Sequence, residues 1–225
     1  MSRTGHPLFA RFYAWAGPRM EPALGTHRRA LLDGLSGRVI EVGAGSGLNF
    51  PHYRPGVTGV LAVEPEPHLR ELARRAARQA LVPVEVVDGL AERLPGEDGG
   101  FDAAVAALVL CSVADQHGAL TEIARVLRPS GRLRFLEHVA AESAGLRRVQ
   151  RAVDATVWPH FVGGCHTGRD TAAAITAAGF TIERLHHFRV PEGGVGFPTS
   201  PHIRGTALWN PKPNGEPATP SGYGT

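Results

Sequence analysis

Lysine is almost absent from the sequence. Lys212 is the only lysine among 225 residues, and arginines, which are scattered among acids as in residues 71–75, supply the rest of the fixed positive charge. The formal net charge is +3, and a dispersed excess of this size is typical of a solvated surface. The sequence has no basic stripe interleaved with aromatic residues, which is the pattern typical of a nucleic-acid interface. We therefore expect no nucleic acid among the partners of this protein.

Cysteines and long apolar runs are scarce as well. The two cysteines are Cys111 and Cys165, too few for a disulfide framework, so we expect a reducing environment. No apolar run reaches the ~18 residues that a membrane span needs. Arg11 interrupts the apolar part of the N-terminal stretch, which argues against a signal peptide. Together these absences predict a cytoplasmic protein with no membrane span.

Apolar residues, by contrast, are abundant enough for the core of one complete domain, since they make up 43% of the chain. Apolar runs that predict strands alternate with segments of helical periodicity, which predicts an α/β fold with helices on both faces of a parallel sheet. The predicted strands are residues 38–42, 58–63, 84–87, 101–108, 133–138, 180–187 and 203–209. The predicted helices are residues 47–53, 66–81, 115–127, 145–157 and 169–178.

Three segments of the chain differ in character. Residues 1–35 are predicted to be helical and carry Tyr13 among several aromatic residues. They form either a helix packed on the sheet edge or a lid over a ligand cleft. Residues 36–209 contain the strand–helix units and form the main domain. The Pro- and Gly-rich end, residues 210–225, has little to bury and predicts a flexible tail.

A glycine-rich turn follows the first predicted strand, in the stretch "RVIEVGAGSGLNFPHY". Its glycines are Gly43, Gly45 and Gly47. A phosphate-binding P-loop would continue with a Lys-Ser/Thr pair after Gly47, and none is present. A dinucleotide fingerprint would place its third glycine three positions after Gly45, where Leu48 stands. The spacing is instead G-x-G-x-G, which excludes both kinds of site.

Two acids near this turn indicate what it binds. Glu41 lies two residues before Gly43, where it would repel a pyrophosphate but suit the sulfonium and ammonium groups of S-adenosylmethionine. Glu64 directly follows the second predicted strand, where an acid can accept hydrogen bonds from both ribose hydroxyls. The combination of both acids with the G-x-G-x-G turn predicts S-adenosylmethionine as the cofactor.

Five stretches between residues 38 and 135 resemble class I S-adenosylmethionine-dependent methyltransferases: "VIEVGAGSG", "AVEPEP", "DGLAERLP", "GFDAAVAALVLCSV" and "RVLRPSGRLRF". The resemblance implies a Rossmann-like fold with a mostly parallel seven-stranded sheet and helices on both faces. It implies that Glu41 and the three glycines hold the methionine part and that Glu64 holds the ribose. The further cofactor contacts we expect are Pro65, Asp88, Gly89, Leu90 and Ala91, then Leu108 and Leu110 behind the cofactor, and Tyr13.

A narrower similarity extends to about residue 207. "LVLCSV", "RFLEHV", "GGCHTGRDT" and "PHIRGTA", with Gln150 and Trp158 between them, resemble the alkyl-thiol S-methyltransferases of the methyltransferase-like-seven group and their bacterial relatives. This similarity implies a small-molecule acceptor and favours a thiol. The alternatives are an oxygen or nitrogen acceptor, such as a natural-product phenol or a phospholipid headgroup amine, and a protein that binds S-adenosylmethionine without catalysis.

Two histidines are candidates for the acceptor side. His138 follows the fifth strand directly and can act as a base or orient the acceptor, or it can simply shape the loop. His166 lies in a strand–helix loop of the kind that forms acceptor pockets. Cys111 has either a direct role or that of a small buried apolar residue. His160, Cys165 and His166 are close in sequence but match no standard zinc spacing, so we expect no metal.

Overall fold

The computed structural model describes residues 7–156, 158, 162–192 and 197–211, and a seven-stranded sheet lies at its centre. The strand order is β3-β2-β1-β4-β5-β7-β6. The first five strands pair in parallel, and β7 runs antiparallel to both β5 and β6. The predicted mostly parallel seven-stranded sheet is therefore confirmed. The strands are β1 (Gly37–Val42), β2 (Val57–Val63), β3 (Val84–Val87), β4 (Phe101–Ala107), β5 (Leu127–His138), β6 (Phe180–Arg189) and β7 (Pro201–Trp209).

Helices begin where a side chain can cap them. Asp115 and Asp170 each accept a hydrogen bond from the backbone N–H three residues later, which satisfies a donor that the first turn of a helix leaves free. In the described part of the chain the helices are α1 (Pro7–Leu32), α2 (Pro67–Ala77), α3 (Gln116–Val126), α4 (Ala144–Asp154) and α5 (Thr171–Ala177). A short 3₁₀ turn, Phe50–His52, follows the glycine turn.

Several element boundaries differ from the prediction. The helix predicted at residues 47–53 is only the 3₁₀ turn, because Gly47 has φ +83° and cannot continue a right-handed helix. Helix α2 ends at Ala77 rather than at residue 81. Strand β5 begins at Leu127 instead of residue 133, and its register with β4 shifts around Ser130, which has φ 65°.

Side chains of alternate residues build one core on each face of the sheet. Ile40 and Phe135 belong to the first cluster, with α3 and α5 packed on that face. Val39 and Leu136 belong to the second cluster, with α1 and α2 packed on the other face. Since successive side chains of a strand point to opposite faces, this two-sided burial explains why the central strands are apolar throughout.

Two expectations fall on residues that the structure does not describe. Residues 212–225 of the expected tail and His160 lie outside the described residues. Within the described ranges, no helix combines the length and apolarity that would let it cross a membrane.

Candidate functional site

The glycine turn after β1 has a backbone that other residues would not adopt easily. Gly43, Gly45 and Gly47 have φ +64°, +58° and +83°, in the left-handed region that favours glycine. Space is also limited, because a Cβ on Gly43 would lie 2.4 Å from a methyl carbon of Val109 and one on Gly47 would lie 2.7 Å from the ring of Phe50. The three glycines are therefore required by both backbone conformation and close packing.

Glu64 joins this turn to the end of β2. Its Oε2 accepts a hydrogen bond from the N–H of Gly45 at 2.7 Å, and its Oε1 accepts one from the N–H of Glu66 at 2.9 Å. Burial raises the pKa of Glu64, although the two backbone donors oppose that shift. Each carboxylate oxygen has more than one acceptor position, so Glu64 can also receive hydroxyl donors. Its contact with ribose stays a prediction that this geometry permits.

Glu41 is held in a buried network on the α1 side of the sheet. Its Oε1 accepts from Nδ2 of Asn49 at 2.9 Å, and its Oε2 accepts from the hydroxyl of Tyr53 at 2.6 Å. Nη1 of Arg28 in turn donates to Oδ1 of Asn49 at 2.9 Å. Burial raises the pKa of Glu41 to about 7, against the two hydrogen bonds that lower it. The role of Glu41 toward the methionine part stays a prediction, and the structure adds two hydrogen-bond partners, Asn49 and Tyr53, that the sequence did not reveal.

Helix α1 packs on the sheet and also reaches the glycine turn, while its role as a lid stays a prediction. Its C-terminal half packs Leu24 and Leu31 into the second core cluster. Its N-terminal half lies over the glycine turn, where a Cβ on Gly45 would be 3.1 Å from the ring of Tyr13. Burial raises the pKa of Tyr13, while the nearby Arg28 guanidinium lowers it. Tyr13 thus lies against the turn, and its contact with the cofactor stays a prediction.

Ser46 is a polar residue of the turn that the sequence analysis missed. Among the residues that the structure describes, no group hydrogen-bonds its buried hydroxyl. A buried hydroxyl without a partner is costly, so it marks a position where a ligand oxygen can bind. With the carboxylates of Glu41 and Glu64 nearby, the site combines a donor for a carboxylate with acceptors for cationic and hydroxyl groups. These groups fit S-adenosylmethionine.

Arg70 of α2 ties together the ends of β2 and β3. Its Nη1 donates to the carbonyl oxygens of Glu64 and Pro65 at 2.7 and 2.9 Å. The same nitrogen lies 3.0 Å from Oδ1 of Asp88. Asp88 is therefore held at the end of β3, close to Glu64 and Pro65, on the side where adenine is expected.

The residues after Asp88 form the predicted adenine segment. A Cβ on Gly89 would lie 2.8 Å from a methyl carbon of Val63, so only glycine allows this close approach to β2. The side chain of Leu90 is exposed and Ala91 is buried. An exposed leucine beside Asp88 supplies the apolar surface on which an adenine ring can lie, and the contact itself stays a prediction.

The two leucines after β4 differ in their surroundings. Leu108 is half-buried and has φ 61°, a strained conformation for leucine that is common at ligand sites. Leu110 is completely buried in the first core cluster, and Nη1 of Arg169 donates to its carbonyl oxygen at 2.7 Å. Leu110 has no surface to offer a ligand in this arrangement, so we expect it to support the site from within the core.

Glu137 is the main residue of this region that the sequence analysis missed. Its carboxylate lies completely buried and accepts three backbone hydrogen bonds, from the N–H groups of Val109, Leu110 and Cys111 at 3.0 to 3.1 Å. Burial raises its pKa despite these donors. Glu137 therefore fixes the loop after β4 from the neighbouring strand β5. The available signal was an acid that directly follows the apolar pair Phe135-Leu136 in "RFLEHV".

His138 ends β5 beside both cysteines of the chain. Its Nδ1 lies 3.8 Å from Sγ of Cys111 and 3.5 Å from Sγ of Cys165, and the two sulfurs are 3.9 Å apart. The sulfur–sulfur hydrogen bond and His138 lower the pKa of Cys165 to about 5, while the same bond and burial raise the pKa of Cys111. The structure thus groups Cys165 with His138 and Cys111.

His202 of β7 lies behind His138. The two rings meet edge to face with their centres 4.5 Å apart. Nδ1 of His202 is 2.8 Å from the carbonyl oxygen of Ser200, so it carries the proton and Nε2 has the lone pair. Burial, followed by the charge of His138, lowers the pKa of His202 to about 3. His202 is therefore a neutral imidazole against which His138 packs.

His166 lies in the loop between α4 and α5. Its Nδ1 lies 2.8 Å from the carbonyl oxygen of Gly164 and 3.3 Å from Nη2 of Arg169. Its backbone N–H donates to the carbonyl oxygen of Cys111 at 2.9 Å. His166 thus ties the loop after α4 to the loop after β4, and its catalytic role stays a prediction.

Gln150 of α4 joins the loops on this side of the sheet. Its Oε1 accepts from the N–H of Ala141 at 2.7 Å, and its Nε2 donates to the carbonyl oxygens of Val139, Thr167 and Pro198 at 2.8 to 3.0 Å. The side chain is completely buried. One glutamine therefore holds together the segment after β5, the segment before α5 and the segment before β7.

Known proteins match this chain over most of its length. The human thiol S-methyltransferase TMT1A is 35% identical over 211 residues, which cover 92% of this chain and 79% of the relative. Human TMT1B is 34% identical over 188 residues, which cover 79% of this chain and 73% of the relative. Residues 40–135 match the family described as a methyltransferase domain.

Solved structures share the fold of this chain. A geranyl diphosphate methyltransferase solved with S-adenosylmethionine has a TM-score of 0.64 at 16% identity, and the match covers 85% of this chain and 86% of that chain. The chain belongs to the S-adenosylmethionine-dependent methyltransferases and has their class I, Rossmann-like fold. Within that class it belongs to the group that contains the thiol S-methyltransferases TMT1A and TMT1B. The expected enzyme class and cofactor are thereby confirmed.

Proposed function

We propose that this enzyme methylates the thiol of a small, largely apolar molecule. The observation that carries the proposal is the identity of about a third with two thiol S-methyltransferases over most of the chain. His138, the predicted acceptor residue, lies beside the two cysteine sulfurs and the neutral imidazole of His202. A thiol needs little activation, since its pKa near ~8.5 leaves some thiolate at neutral pH.

S-adenosylmethionine supplies a methyl group on a positively charged sulfur. The residues of the chain then have to align the acceptor with that group and exclude water. Glu64 and the glycine turn define one end of the site. Glu137 holds the loop after β4 that carries Leu108, which fixes the boundary toward the acceptor. His138 lies at the end of β5, where it can orient the acceptor or receive its proton.

The acceptor class is tested with a panel of alkyl thiols, phenols and amines, with release of S-adenosylhomocysteine as the readout. We expect turnover of alkyl thiols, with kcat/KM rising as the alkyl chain lengthens, because a larger apolar surface is buried. Glu64→Ala should lose activity with every acceptor, since it lacks the predicted ribose contact. Turnover of phenols or amines without any thiol would overturn the proposal.

The role of His138 requires a separate comparison. His138→Ala should lower kcat for thiols most strongly at the acidic end of a profile from about pH 6 to about pH 9, where little free thiolate exists. His117→Ala, an exposed histidine on α3, is the matched control and should follow the original profile. A profile for His138→Ala that coincides with the control would exclude His138 from the reaction.

A further inference from the structure

Three metal-binding side chains from separate segments meet at the carboxyl ends of β4 and β5. Cys111 lies in the loop after β4, His138 ends β5, and Cys165 lies between α4 and α5. The two Sγ atoms and Nδ1 of His138 all lie within 4.8 Å of one another. Both cysteines are buried and His138 is half-buried. The fold alone brings them together, because 27 residues separate His138 from each cysteine.

The distances between the three ligand atoms match those around a tetrahedral zinc ion. Zn–S bonds of about 2.3 Å and a Zn–N bond of about 2.0 Å place two sulfurs about 3.8 Å apart and a sulfur and a nitrogen about 3.5 Å apart. Here the sulfur–sulfur distance is 3.9 Å, and the sulfur–nitrogen distances are 3.5 and 3.8 Å. The three atoms thus already occupy one face of such a tetrahedron.

A disulfide does not account for this arrangement. A disulfide bond is about 2.05 Å long, whereas the two sulfurs are 3.9 Å apart and both cysteines are free thiols. Two sulfurs and one imidazole nitrogen are ligands that zinc prefers. We propose that Cys111, His138 and Cys165 bind a zinc ion.

The surroundings of the three ligands hold them in place. Glu137 accepts a hydrogen bond from the N–H of Cys111 at 3.1 Å, and the carbonyl oxygen of Cys111 accepts one from His166 at 2.9 Å. Gly164, next to Cys165, has φ +84°, and a Cβ there would lie 2.5 Å from the carbonyl oxygen of Ser112. Supporting bonds of this kind orient the ligands of metal sites. The two cysteine loops are therefore held against each other before any metal binds.

The site has three protein ligands in the part of the chain that the structure describes. No further cysteine, histidine or carboxylate of those residues joins the group. Zinc sites with three protein ligands leave a fourth position for water or substrate. His138 is the least buried of the three ligands, so we expect the fourth position to open on its side, toward the predicted acceptor.

The fourth ligand that we assign is the acceptor sulfur, and this step rests on the proposed function. The acceptor S–H bond breaks and the sulfur binds zinc as a thiolate. Its proton passes to solvent, because His138 is then a zinc ligand through Nδ1 and orients the acceptor through the metal instead of acting as its base. The thiolate sulfur then forms a bond to the methyl carbon as the bond between that carbon and the cofactor sulfonium breaks. The products are a neutral thioether, which binds zinc more weakly and leaves, and S-adenosylhomocysteine.

The sequence predicts no metal, and the reason for this difference is physical. Standard zinc motifs place pairs of ligands a few residues apart, and His160, Cys165 and His166 do not match them. In the structure the ligands come from the ends of two adjacent parallel strands and from a distant loop. Local spacing does not reveal a site that depends on strand order.

The metal site is tested on the reduced protein after removal of metal with a chelator. Cobalt(II) should bind with one ion per chain and show a sulfur-to-cobalt charge-transfer band together with the strong visible bands of tetrahedral cobalt. Zinc should displace the cobalt. Absence of stoichiometric binding, binding without the charge-transfer band, or cysteines that form a disulfide even under reducing conditions would overturn the proposal.

Variants identify the ligands. Cys165→Ser should weaken zinc binding by about 100-fold or more, since loss of even a supporting residue costs about 10- to 100-fold in metal affinity. His138→Ala should do the same, and His117→Ala should bind zinc with unchanged affinity. The circular dichroism spectrum of each variant shows whether it is folded. Folded Cys165→Ser that keeps full zinc affinity would contradict the assignment.

The acceptor step has its own readout. Addition of an alkyl thiol to the cobalt-loaded protein should shift the visible bands, because a sulfur replaces water at the fourth position. An unchanged spectrum at a saturating thiol concentration would refute the acceptor step. Metal-free protein that methylates thiols at the full rate would also refute the acceptor step. The same result would still show that the acceptor is a thiol. Failure of the acceptor panel, in contrast, would not change the metal titrations.

Discussion

The carboxylate of Glu64 accepts a hydrogen bond from the backbone N–H of Gly45 at 2.7 Å. This bond joins the end of β2 to the glycine turn after β1, which are the two segments that the sequence assigns to the cofactor. The side chain is nearly inaccessible to solvent. The residue predicted to bind ribose therefore also fixes the backbone conformation of the turn beside it.

Loss of this carboxylate should weaken cofactor binding. In Glu64→Ala we expect the affinity for S-adenosylmethionine to fall by about 10- to 150-fold, which corresponds to the roughly 1.5–3 kcal/mol of a hydrogen bond to a charged group. Calorimetric titration measures this change. The matched control is Glu85→Ala, an exposed glutamate on β3. Equal affinities in the two variants would show that Glu64 makes no contact with the cofactor.

Glu41 should make the stability of the protein depend on pH. Its pKa is about 7 in the native state against 4.5 for an ordinary glutamate. Between these two values the native state holds a proton that the unfolded chain has lost, so the free energy of unfolding falls as the pH rises, and it levels off above about 7. The shift corresponds to about 3 kcal/mol.

The variant Glu41→Gln removes this titration. Urea unfolding at a series of pH values between about 4.5 and about 8 should therefore show a shallower decline for Glu41→Gln than for the original protein. Glu64 and Glu137 also have raised pKa values, but they are present in both proteins and cancel in the comparison. Two parallel curves would mean that Glu41 does not titrate in this range.

Gly43 should tolerate no side chain. Gly43→Ala places a methyl group at φ +64° and 2.4 Å from Val109, so we expect a loss of about 1–3 kcal/mol in stability together with weaker cofactor binding. Gly145→Ala is the control, because a Cβ at Gly145 in helix α4 would meet nothing within 4 Å. That variant should gain up to about 1 kcal/mol from its better helix propensity. Thermal unfolding and calorimetry measure both quantities.

Gln150 should matter for stability and for the acceptor side together. Gln150→Leu leaves one buried N–H and three carbonyl groups without their side-chain partner, so we expect a loss of at least about 2 kcal/mol. KM for the acceptor should rise as the loops lose their common anchor. Gln79→Leu, at an exposed position after α2, should change neither. Urea unfolding and initial-rate kinetics test the two effects.

Tyr13 should slow the release of the cofactor, since its ring lies against Gly45. In Tyr13→Ala we expect dissociation of S-adenosylhomocysteine to be several-fold faster, as measured by stopped-flow fluorescence or surface plasmon resonance. Phe12→Ala removes an exposed aromatic ring from the same helix and is the matched control. Similar dissociation rates in both variants would show that α1 only packs on the sheet.

Features that depend on neighbouring residues were predicted well from the sequence. The G-x-G-x-G turn, the acids at the ends of β1 and β2, and the central strands follow from local conformation and from alternating burial. Element boundaries were less accurate where one residue changed the backbone, as at Gly47 and Ser130. The class of cofactor could therefore be inferred without the structure.

Other features depend on which strands are neighbours. Glu137 accepts hydrogen bonds from the loop after β4 because β4 and β5 are adjacent and parallel. The sequence "RFLEHV" does not indicate that pairing. Cys111 and Cys165 lie 54 residues apart in the chain and meet only through the order of the strands and the loop anchored by Gln150. The sequence by itself determined the fold class and the methyl donor, because both are encoded in short local patterns. The tertiary structure alone decided which side chains meet at the carboxyl ends of β4 and β5, because that depends on contacts between residues distant in sequence.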